Sequence, residues 1–164
     1  MLVSQLAPFM VSLFSVVNSL VRMILRSPLH SLLDRNLIGI TYAGRTSGRR
    51  FSLVAQYAQF GSQLLVVVGE PERKNWWRNF QEQASADVLL RGQWLTCVAR
   101  IPREDSERMV PRLEAYCSKF PGSARLYGLR QGKDGKFSSE EIAEAAKDIV
   151  MVVFELPSKT AAQG

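Results

Sequence analysis

The sequence predicts one α+β domain built on an antiparallel β-barrel, and three observations support this fold class. The chain has 164 residues, which is the length of a single ordinary domain with a real core. About six short segments are apolar or alternate between apolar and polar residues, and most of them are joined by hairpin-like turns. Segments with helical caps lie between and beside these strands, and no repeat or linker divides the chain.

The strands are predicted from apolar periodicity and from the turn residues between them. Gly61-Ser62 and Gly92 are typical of hairpin turns. The segment that starts at Gln63 is almost continuously apolar, which indicates a central strand buried on both faces. The six predicted strands are Leu37–Tyr42, Arg50–Phe60, Gln63–Val68, Asp87–Arg91, Trp94–Ile101 and Ile149–Leu156.

Three helices are predicted in this region from their capping residues. Glu70-Pro71-Glu72 indicates a helix start, with proline in the first turn and acidic residues at the positive end of the helix dipole, and this helix should end near Glu82. Asp105-Ser106 caps a second helix that reaches Phe120, where Pro121-Gly122 stops it. A third helix is predicted from Ser138 to Lys147.

Composition restricts the possible functions. The formal net charge is +6 and the isoelectric point is about 9.7, so the protein should attract an anion such as phosphate, nucleic acid or an acidic membrane surface. Nucleic-acid binding is disfavoured because the basic residues outside Arg45–Arg50 are scattered among acidic ones. Cys97 and Cys117 are far apart and indicate reduced, buried thiols, and His30 is the single histidine. No metal site is therefore expected.

The N-terminal segment is hydrophobic and predicts an amphipathic helix. No charged side chain occurs from Met1 to Val21, and the regular helix should begin near Ala7. A polar stripe follows at steps of three or four, which favours a helix lying at a membrane surface or packed on its own barrel over one that spans a bilayer. The stripe consists of Ser12, Ser15, Ser19, Arg22 and Arg26. The predicted organisation is this helix (residues 1–26), the barrel (residues 27–156) and a polar tail (residues 157–164).

The loop between the first two strands is a candidate anion site. It has the sequence Gly44-Arg45-Thr46-Ser47-Gly48-Arg49-Arg50. Its glycines permit a turn in which successive N–H groups point toward one concavity, the hydroxyl groups add donors, and the guanidinium groups can form forked bonds to phosphate. The glycine spacing matches neither a Walker A loop nor a Rossmann motif. A solvated basic hairpin tip is the alternative interpretation.

The segment Lys74-Asn75-Trp76-Trp77-Arg78-Asn79-Phe80 is a second candidate site. Trp76 and Phe80 are four residues apart and should share a face that packs on the core. Trp77 is turned away from Trp76, so its ring can either wall a cofactor pocket at the rim or pack on the domain. Lys74 and Asn79 can supply polar contacts beside it.

Taken together, these segments give the chain a resemblance to a known family. From about Arg22 to Leu156 it resembles the deazaflavin-dependent nitroreductase, or F-420-dependent quinone reductase, family. The matching pieces, in family order and spacing, are Ser27-Pro28-Leu29-His30, the segment from Ile40 to Arg49, Gln56-Tyr57, Gly61, Lys74-Asn75-Trp76-Trp77-Arg78-Asn79 and Arg91-Gly92.

The resemblance implies a split β-barrel that binds coenzyme F-420, an 8-hydroxy-5-deazaflavin with a phosphate-bearing acidic tail. It implies that Gly44, Arg45, Thr46, Ser47, Gly48 and Arg49 hold the phosphate and tail, and that Lys74, Trp77 and Asn79 lie by the coenzyme or support its pocket. Tyr127 occupies a region where relatives place tyrosines on the substrate side, so it is the candidate proton donor, with solvent as the alternative. Packing on the barrel is the other interpretation of Tyr127.

The resemblance also implies an activity: transfer of a hydride from reduced F-420 to a quinone, a nitroaromatic compound or a similar acceptor. In such chemistry the cofactor carries the reaction, so one histidine is sufficient. The chain departs from the family at Gly69-Glu70, Val54 and Phe60. The alternative function is a non-catalytic module that binds a flavin, haem or lipid at the membrane. FMN is the less favoured cofactor. The expected protein is cytoplasmic, monomeric or homodimeric, with peripheral contact at the inner face of the cell membrane.

Overall fold

The computed structural model describes residues 35–102 and 106–157, and a seven-stranded antiparallel sheet forms its framework. The strands are β1 Leu37–Ala43, β2 Arg50–Gln56, β3 Ala58–Phe60, β4 Gln63–Val67, β5 Ala84–Leu90, β6 Gln93–Arg100 and β7 Met151–Glu155. The helices are α1 Ser106–Lys119, α2 Pro121–Ala124 and α3 Ser139–Ala146, with 3₁₀ turns at Trp76–Phe80 and Arg125–Tyr127. The predicted N-terminal helix, its boundary at residue 26, His30 and all but the first residue of the predicted tail (residues 157–164) lie outside the described residues.

A bend at Tyr57 closes the sheet into a barrel. The strand order is β2-β1-β5-β6-β7-β4-β3, so β2 and β3 lie at opposite edges of the sheet. Only Tyr57 separates these two strands in sequence, and the two edges must therefore meet there. Lys119 at the end of α1 fixes the bend: its ammonium group donates to the carbonyl oxygens of Tyr57, at 2.8 Å, and of Arg35, and lies 4.2 Å from the centre of the Tyr57 ring.

The sheet buries apolar side chains on two faces, which produces two layers of core. The barrel interior contains Ile38, Ile40, Tyr42, Tyr57, Leu64, Val66, Phe80, Val88, Val152 and Phe154. The outer face of β3, β4 and β7 packs on the helices through Leu65, Val67, Met151, Val153, Leu113, Tyr116, Leu129 and Ile142. Side chains alternate between the two layers along β4 and β7, as the pleat of a strand requires. This two-sided burial confirms the prediction that β4 is a central strand.

The structure corrects several predicted boundaries. The strand predicted from Arg50 to Phe60 is two strands, because the chain turns at Tyr57 and pairs with a different neighbour on each side. The count is therefore seven rather than six. Strand β5 begins at Ala84, three residues earlier than predicted. Pro121 and Gly122 do end the second helix, but Pro121 also opens the short helix α2, because proline suits the first turn of a helix.

The prediction of a helix from Glu70 to Glu82 is wrong. The backbone at Glu70 has a φ of 52°, and its carbonyl oxygen accepts from Arg73 and Lys74, so the proline-containing turn closes on itself. A separate 3₁₀ turn then runs from Trp76 to Phe80. The tighter turn places Phe80 across the end of the barrel, where its ring contacts the rings of Tyr42, Trp76 and Phe154 at centroid distances of 5.4, 6.2 and 5.8 Å. The contacts between these rings depend on the 3₁₀ turn, and the chain therefore forms this turn instead of the continuous predicted helix.

Among the described residues, no helix is both long enough and apolar enough to cross a membrane.

The longest helix in this part of the chain, α1, contains Pro111. A proline inside a helix removes one backbone hydrogen bond and favours a bend toward the surface that the helix covers.

Candidate functional site

The basic loop after β1 forms a tight turn held by its own backbone. The amide of Gly44 donates to the carbonyl of Arg49 at 2.8 Å, and the amide of Gly48 donates to the carbonyl of Gly44 at 2.7 Å. Gly48 has a φ of 65°, a conformation that glycine adopts without strain. The hydroxyl oxygen of Ser47 accepts from the Arg49 amide at 3.3 Å. The amide groups of Thr46 and Ser47 have no protein acceptor in the part of the chain that the structure describes.

Close packing leaves no room for a side chain at Gly44. A Cβ atom at this position would lie 2.8 Å from Cε2 of Phe51 and 2.8 Å from Oγ of Ser47. Phe51 in turn stacks on Tyr42 with a centroid distance of 5.8 Å. The loop therefore rests on an aromatic pair from β1 and β2, which fixes its position relative to the barrel.

Asn79 joins this loop to the 3₁₀ turn. Its side-chain oxygen accepts from the Arg45 amide at 2.8 Å, and its side-chain nitrogen donates to the Trp76 carbonyl at 2.8 Å. Both ends of the amide are thus engaged with backbone atoms. Asn79 therefore positions the basic loop relative to the 3₁₀ turn, and its role at a coenzyme pocket stays a prediction.

A cavity of about 380 Å³ opens where the two segments meet, and we call it the loop cavity. It is lined by Tyr42, Gly44, Arg45, Thr46, Ser47, Phe51, Asn75, Arg78 and Asn79. No carboxylate lines it. Its lining residues include two arginines, Arg45 and Arg78, and two residues with hydroxyl groups, Thr46 and Ser47. Guanidinium, hydroxyl and backbone amide groups are donors that bind phosphate oxygens. The cavity can therefore hold a phosphate or another compact oxyanion.

A second cavity of about 410 Å³ shares Arg45 with the loop cavity, and we call it the Trp77 cavity. Its lining consists of Arg45, Trp77, Gln81, Glu82 and Ile101. The indole nitrogen of Trp77 donates to the Pro71 carbonyl at 3.0 Å, and this bond holds the ring in place. The Trp77 ring is partly buried, lines this cavity and also packs against the barrel core, so the structure combines features of both interpretations, and a role at a cofactor stays a prediction.

The arginines of the basic loop have different surroundings. Arg50 forms an ion pair with Asp87 at 2.9 Å, and Asp87 also accepts from the Thr96 hydroxyl at 2.9 Å. The Arg50 guanidinium therefore lies on the outer face of the sheet, bound to Asp87. Arg45 lines both cavities, whereas Arg49 stands beside them in the exposed part of the turn. Gly48 likewise shapes the turn without lining a cavity.

Lys74 does not line either cavity. Its ammonium nitrogen lies 3.7 Å from the position that a Cβ atom would take on Gly69, and its amide donates to the Glu70 carbonyl at 3.2 Å. Lys74 therefore lies beside Gly69 and Glu70, the two residues at which the sequence departs from the pattern of the family that it resembles. The structure brings Lys74 near the 3₁₀ turn but outside the lining of the cavities.

Tyr127 belongs to the other side of the sheet. It packs on the helix layer that contains Tyr116 and Cys117, and it lines neither the loop cavity nor the Trp77 cavity. Burial, with a smaller contribution from Cys117, raises the pKa of Tyr127 above its ordinary value. These surroundings match the packing interpretation of this side chain. Its role as a proton donor stays a prediction.

Four lining residues were missed from the sequence. Tyr42, Phe51, Asn75 and Arg78 all line the loop cavity. Arg78 lies inside the segment that was singled out, and its guanidinium carbon lies 5.5 Å from the centre of the Trp77 ring. A basic residue next to a rim tryptophan was a usable signal. Tyr42 and Phe51 gave none, because alternation along a strand indicates only that they share a face.

Both cysteines are buried thiols, as predicted. Burial raises the pKa of Cys97 to about 11, with a smaller contribution from Asp87, and burial raises the pKa of Cys117 to about 11. A thiol with so high a pKa is a poor nucleophile at neutral pH. Among the described residues, no group of acidic, histidine and cysteine side chains is arranged to hold a metal.

The curled, seven-stranded antiparallel sheet defines the class of this protein's fold as a split β-barrel. Solved structures with this fold are similar to it at low sequence identity. One is an F420-H2-dependent reductase (FDR-A), with a TM-score of 0.52, 15% identity, and coverage of 74% of this chain and 96% of that one. Another, described as a domain-swapped dimer, has a TM-score of 0.51, 15% identity, and coverage of 74% and 81%.

A further similar structure, the FAD and haem binding protein from Mycobacterium smegmatis, has a TM-score of 0.48, 14% identity, and coverage of 82% of this chain and 68% of that chain. No protein-family model matches the sequence, and no curated protein is significantly similar to it. The split β-barrel predicted from the family resemblance is confirmed as the fold, and an F420-dependent reductase is among the proteins that share it.

Proposed function

We propose that the chain binds the reduced deazaflavin coenzyme F-420 and acts as an oxidoreductase on a quinone, a nitroaromatic compound or a similar acceptor. The observation that carries this proposal is the loop cavity. Its two walls come from the two segments on which the family resemblance depends, and Asn79 joins them through the Arg45 amide at 2.8 Å. A fold shared with an F420-H2-dependent reductase supports the same assignment at the level of architecture.

The residues of the loop cavity fit the phosphate of the coenzyme tail. Arg45 comes from the basic loop and Arg78 from the 3₁₀ turn, and neither has an acidic partner within the described residues. Guanidinium groups form short, strong hydrogen bonds to phosphate oxygens. The amides of Thr46 and Ser47 can complete the set of donors. The acidic residues of the tail would follow toward exposed Arg49.

The Trp77 cavity fits the ring system of the coenzyme. Because Arg45 lines both cavities, a molecule with its phosphate in the loop cavity can extend directly past this side chain. Trp77 and Ile101 present apolar surface there, and Gln81 presents a side-chain amide. When bound, the coenzyme supplies the hydride, while these residues orient the ring and limit the access of water. Glu82 at the rim would repel the acidic tail and so favours this direction of binding over the reverse.

Tyr127 is not required for this arrangement. Burial raises the pKa of Tyr127, and its packing in the helix layer separates it from both cavities. We therefore assign protonation of the reduced acceptor to solvent. A Tyr127→Phe variant that keeps its turnover rate would agree with this assignment, and loss of turnover with unchanged coenzyme binding would restore Tyr127 as the proton donor.

Titration of the full chain with oxidised F-420, followed by tryptophan fluorescence, tests the proposal. Because Trp77 walls the proposed ring site, binding should quench its emission saturably, and FMN titrated in parallel should bind more weakly. Arg45→Gln should weaken F-420 binding by about tenfold or more, since a hydrogen bond to a charged group contributes about 1.5–3 kcal/mol. The matched control is Arg73→Gln, which removes an exposed charge whose ion pair is with Glu70.

The outcomes separate the alternatives. Saturable F-420 binding that depends on Arg45, followed by turnover with a quinone or nitro acceptor, supports the oxidoreductase. Binding without turnover of any such acceptor would favour a non-catalytic carrier. Equal binding by Arg45→Gln and the control would remove the phosphate assignment.

A further inference from the structure

A third cavity lies away from the proposed coenzyme site. It has a volume of about 670 Å³ and is lined by Pro121, Arg125, Leu129, Arg130, Gln131 and Gly132. We call it the Arg125 cavity. It shares no residue with the loop cavity or the Trp77 cavity. Its floor, Leu129, belongs to the helix layer on the outer face of the sheet, whereas Tyr42 of the loop cavity belongs to the barrel interior.

We propose that the Arg125 cavity is a second anion site that binds a phosphate group. Arg125 and Arg130 face the same cavity, and both side chains are exposed. Within the described residues, neither guanidinium has an acidic partner or a hydrogen-bond acceptor. Two unpaired like charges beside one concavity repel each other, and a phosphate between them relieves this repulsion while it accepts forked hydrogen bonds from both.

The backbone holds the two arginines in this arrangement. Gly128 adopts a φ of 76° and donates to the Arg125 carbonyl at 3.1 Å, which reverses the chain after the 3₁₀ turn. Leu129 donates to the Ala124 carbonyl at 3.1 Å and is 1% exposed, so it anchors the returning segment in the core. The positions of Arg125 and Arg130 around the cavity therefore follow from an ordered turn with a buried anchor.

Two further lining residues, Gln131 and Gly132, belong to a second hydrogen-bonded turn. Gly132 donates to the Lys136 carbonyl at 2.7 Å, Gly135 donates to the Gly132 carbonyl at 3.0 Å, and the Gln131 side chain donates to the Gly135 carbonyl at 3.1 Å. The acidic residue of this turn, Asp134, accepts from the Lys136 amide at 3.1 Å and lies over Gly132. This carboxylate is thus engaged with the turn's own backbone.

The charge around the cavity favours an anion. From residue 121 to residue 136 the sequence has four basic side chains and one acidic side chain, and these are Arg125, Arg130, Lys133, Lys136 and Asp134. Leu126, beside Arg125, is 83% exposed. An exposed leucine among basic residues is a combination that also suits the surface of an anionic membrane. The phosphate can therefore belong to a lipid headgroup or to a soluble phosphate ester.

The test uses the full chain and two double variants of equal charge. Arg125→Gln/Arg130→Gln removes the proposed ligands, and Arg73→Gln/Lys147→Gln removes two exposed charges that form ion pairs elsewhere. Backbone amide NMR spectra are recorded during titration with inorganic phosphate. Co-sedimentation is measured with vesicles of phosphatidylglycerol and phosphatidylcholine, and with vesicles of phosphatidylcholine alone.

Phosphate should shift the amides of residues 125–132 saturably in the wild type and in the control. In Arg125→Gln/Arg130→Gln the apparent dissociation constant at these amides should rise by about tenfold or more. If the same variant also sediments less than the control with the anionic vesicles, the phosphate is a lipid headgroup; equal sedimentation assigns a soluble ester. A loss of vesicle binding specific to this variant, without shifts by inorganic phosphate, also supports the site and assigns the lipid.

The proposal is overturned if the amides of residues 125–132 show no saturable shift and both double variants sediment equally with anionic vesicles. The amides of Gly44–Arg49 report on the loop cavity in the same spectra. Absence of phosphate binding at the Arg125 cavity would therefore not argue against the proposed coenzyme site. Absence of binding at the loop cavity would likewise not argue against the Arg125 cavity.

Discussion

Replacement of Asn79 by alanine should loosen the candidate site and destabilise the domain. The substitution removes two hydrogen bonds of 2.8 Å, one to the Arg45 amide and one to the Trp76 carbonyl. A typical protein hydrogen bond contributes about 0.5–1.5 kcal/mol. Because the bond to Arg45 is exposed to solvent, we expect the free energy of unfolding to fall by about 1–2 kcal/mol. The corresponding change in melting temperature is about 2–8 °C for a chain of this length.

Asn75→Ala is the matched control for this prediction. Asn75 lines the same cavity and precedes the same 3₁₀ turn, but its side chain forms no capping hydrogen bond. Its replacement should change the free energy of unfolding by less than about 0.5 kcal/mol. Denaturant unfolding at constant m-value measures both variants.

The same pair of variants tests whether Asn79 positions the loop. If it does, Asn79→Ala should also weaken F-420 binding, because the Arg45 backbone is no longer held against the 3₁₀ turn. Equal free energies of unfolding for Asn79→Ala and Asn75→Ala would show that the two hydrogen bonds of Asn79 do not stabilise the domain.

The packing leads to four further predictions. Gly44→Ala should lower the free energy of unfolding by about 1–3 kcal/mol, because its Cβ would lie 2.8 Å from the Phe51 ring; denaturant unfolding measures this, and an unchanged midpoint would contradict it. Phe154→Ala should cost about 3–5 kcal/mol, because the ring is fully buried in the barrel; a loss below about 1 kcal/mol would contradict the burial. Cys97 and Cys117, each with a pKa raised to about 11, should resist alkylation in the native protein at pH 8, and rapid native labelling would contradict this. Since the unfolded thiols ionise at lower pH, stability should fall as the pH rises from about 9 to 11.

The fold could largely be predicted from the sequence because its strands alternate or are fully apolar. The break at Tyr57 could not, since the residues on both sides of it are equally suited to strands and only the closure of the sheet decides where the chain turns. The same limit explains the wrong helix after Glu70. Proline and acidic residues favoured a helix start locally, whereas packing of Phe80 on Tyr42 and Phe154 required a shorter, tighter turn.

The candidate site was predictable in its segments and less so in its details. The two segments of the sequence that carried the resemblance do meet, and Arg45, Thr46 and Ser47 line a cavity with Asn79. Which arginine is free could not be predicted, because the ion pair of Arg50 depends on Asp87, two strands away in the sheet.

The most direct test of the central claim is a crystal structure of the chain with F-420 bound. We expect the phosphate oxygens of the coenzyme to lie in the loop cavity, about 2.7–2.9 Å from guanidinium nitrogens of Arg45 or Arg78, with the ring beside Trp77. A coenzyme bound with its phosphate elsewhere, for example between Arg125 and Arg130, would contradict the account.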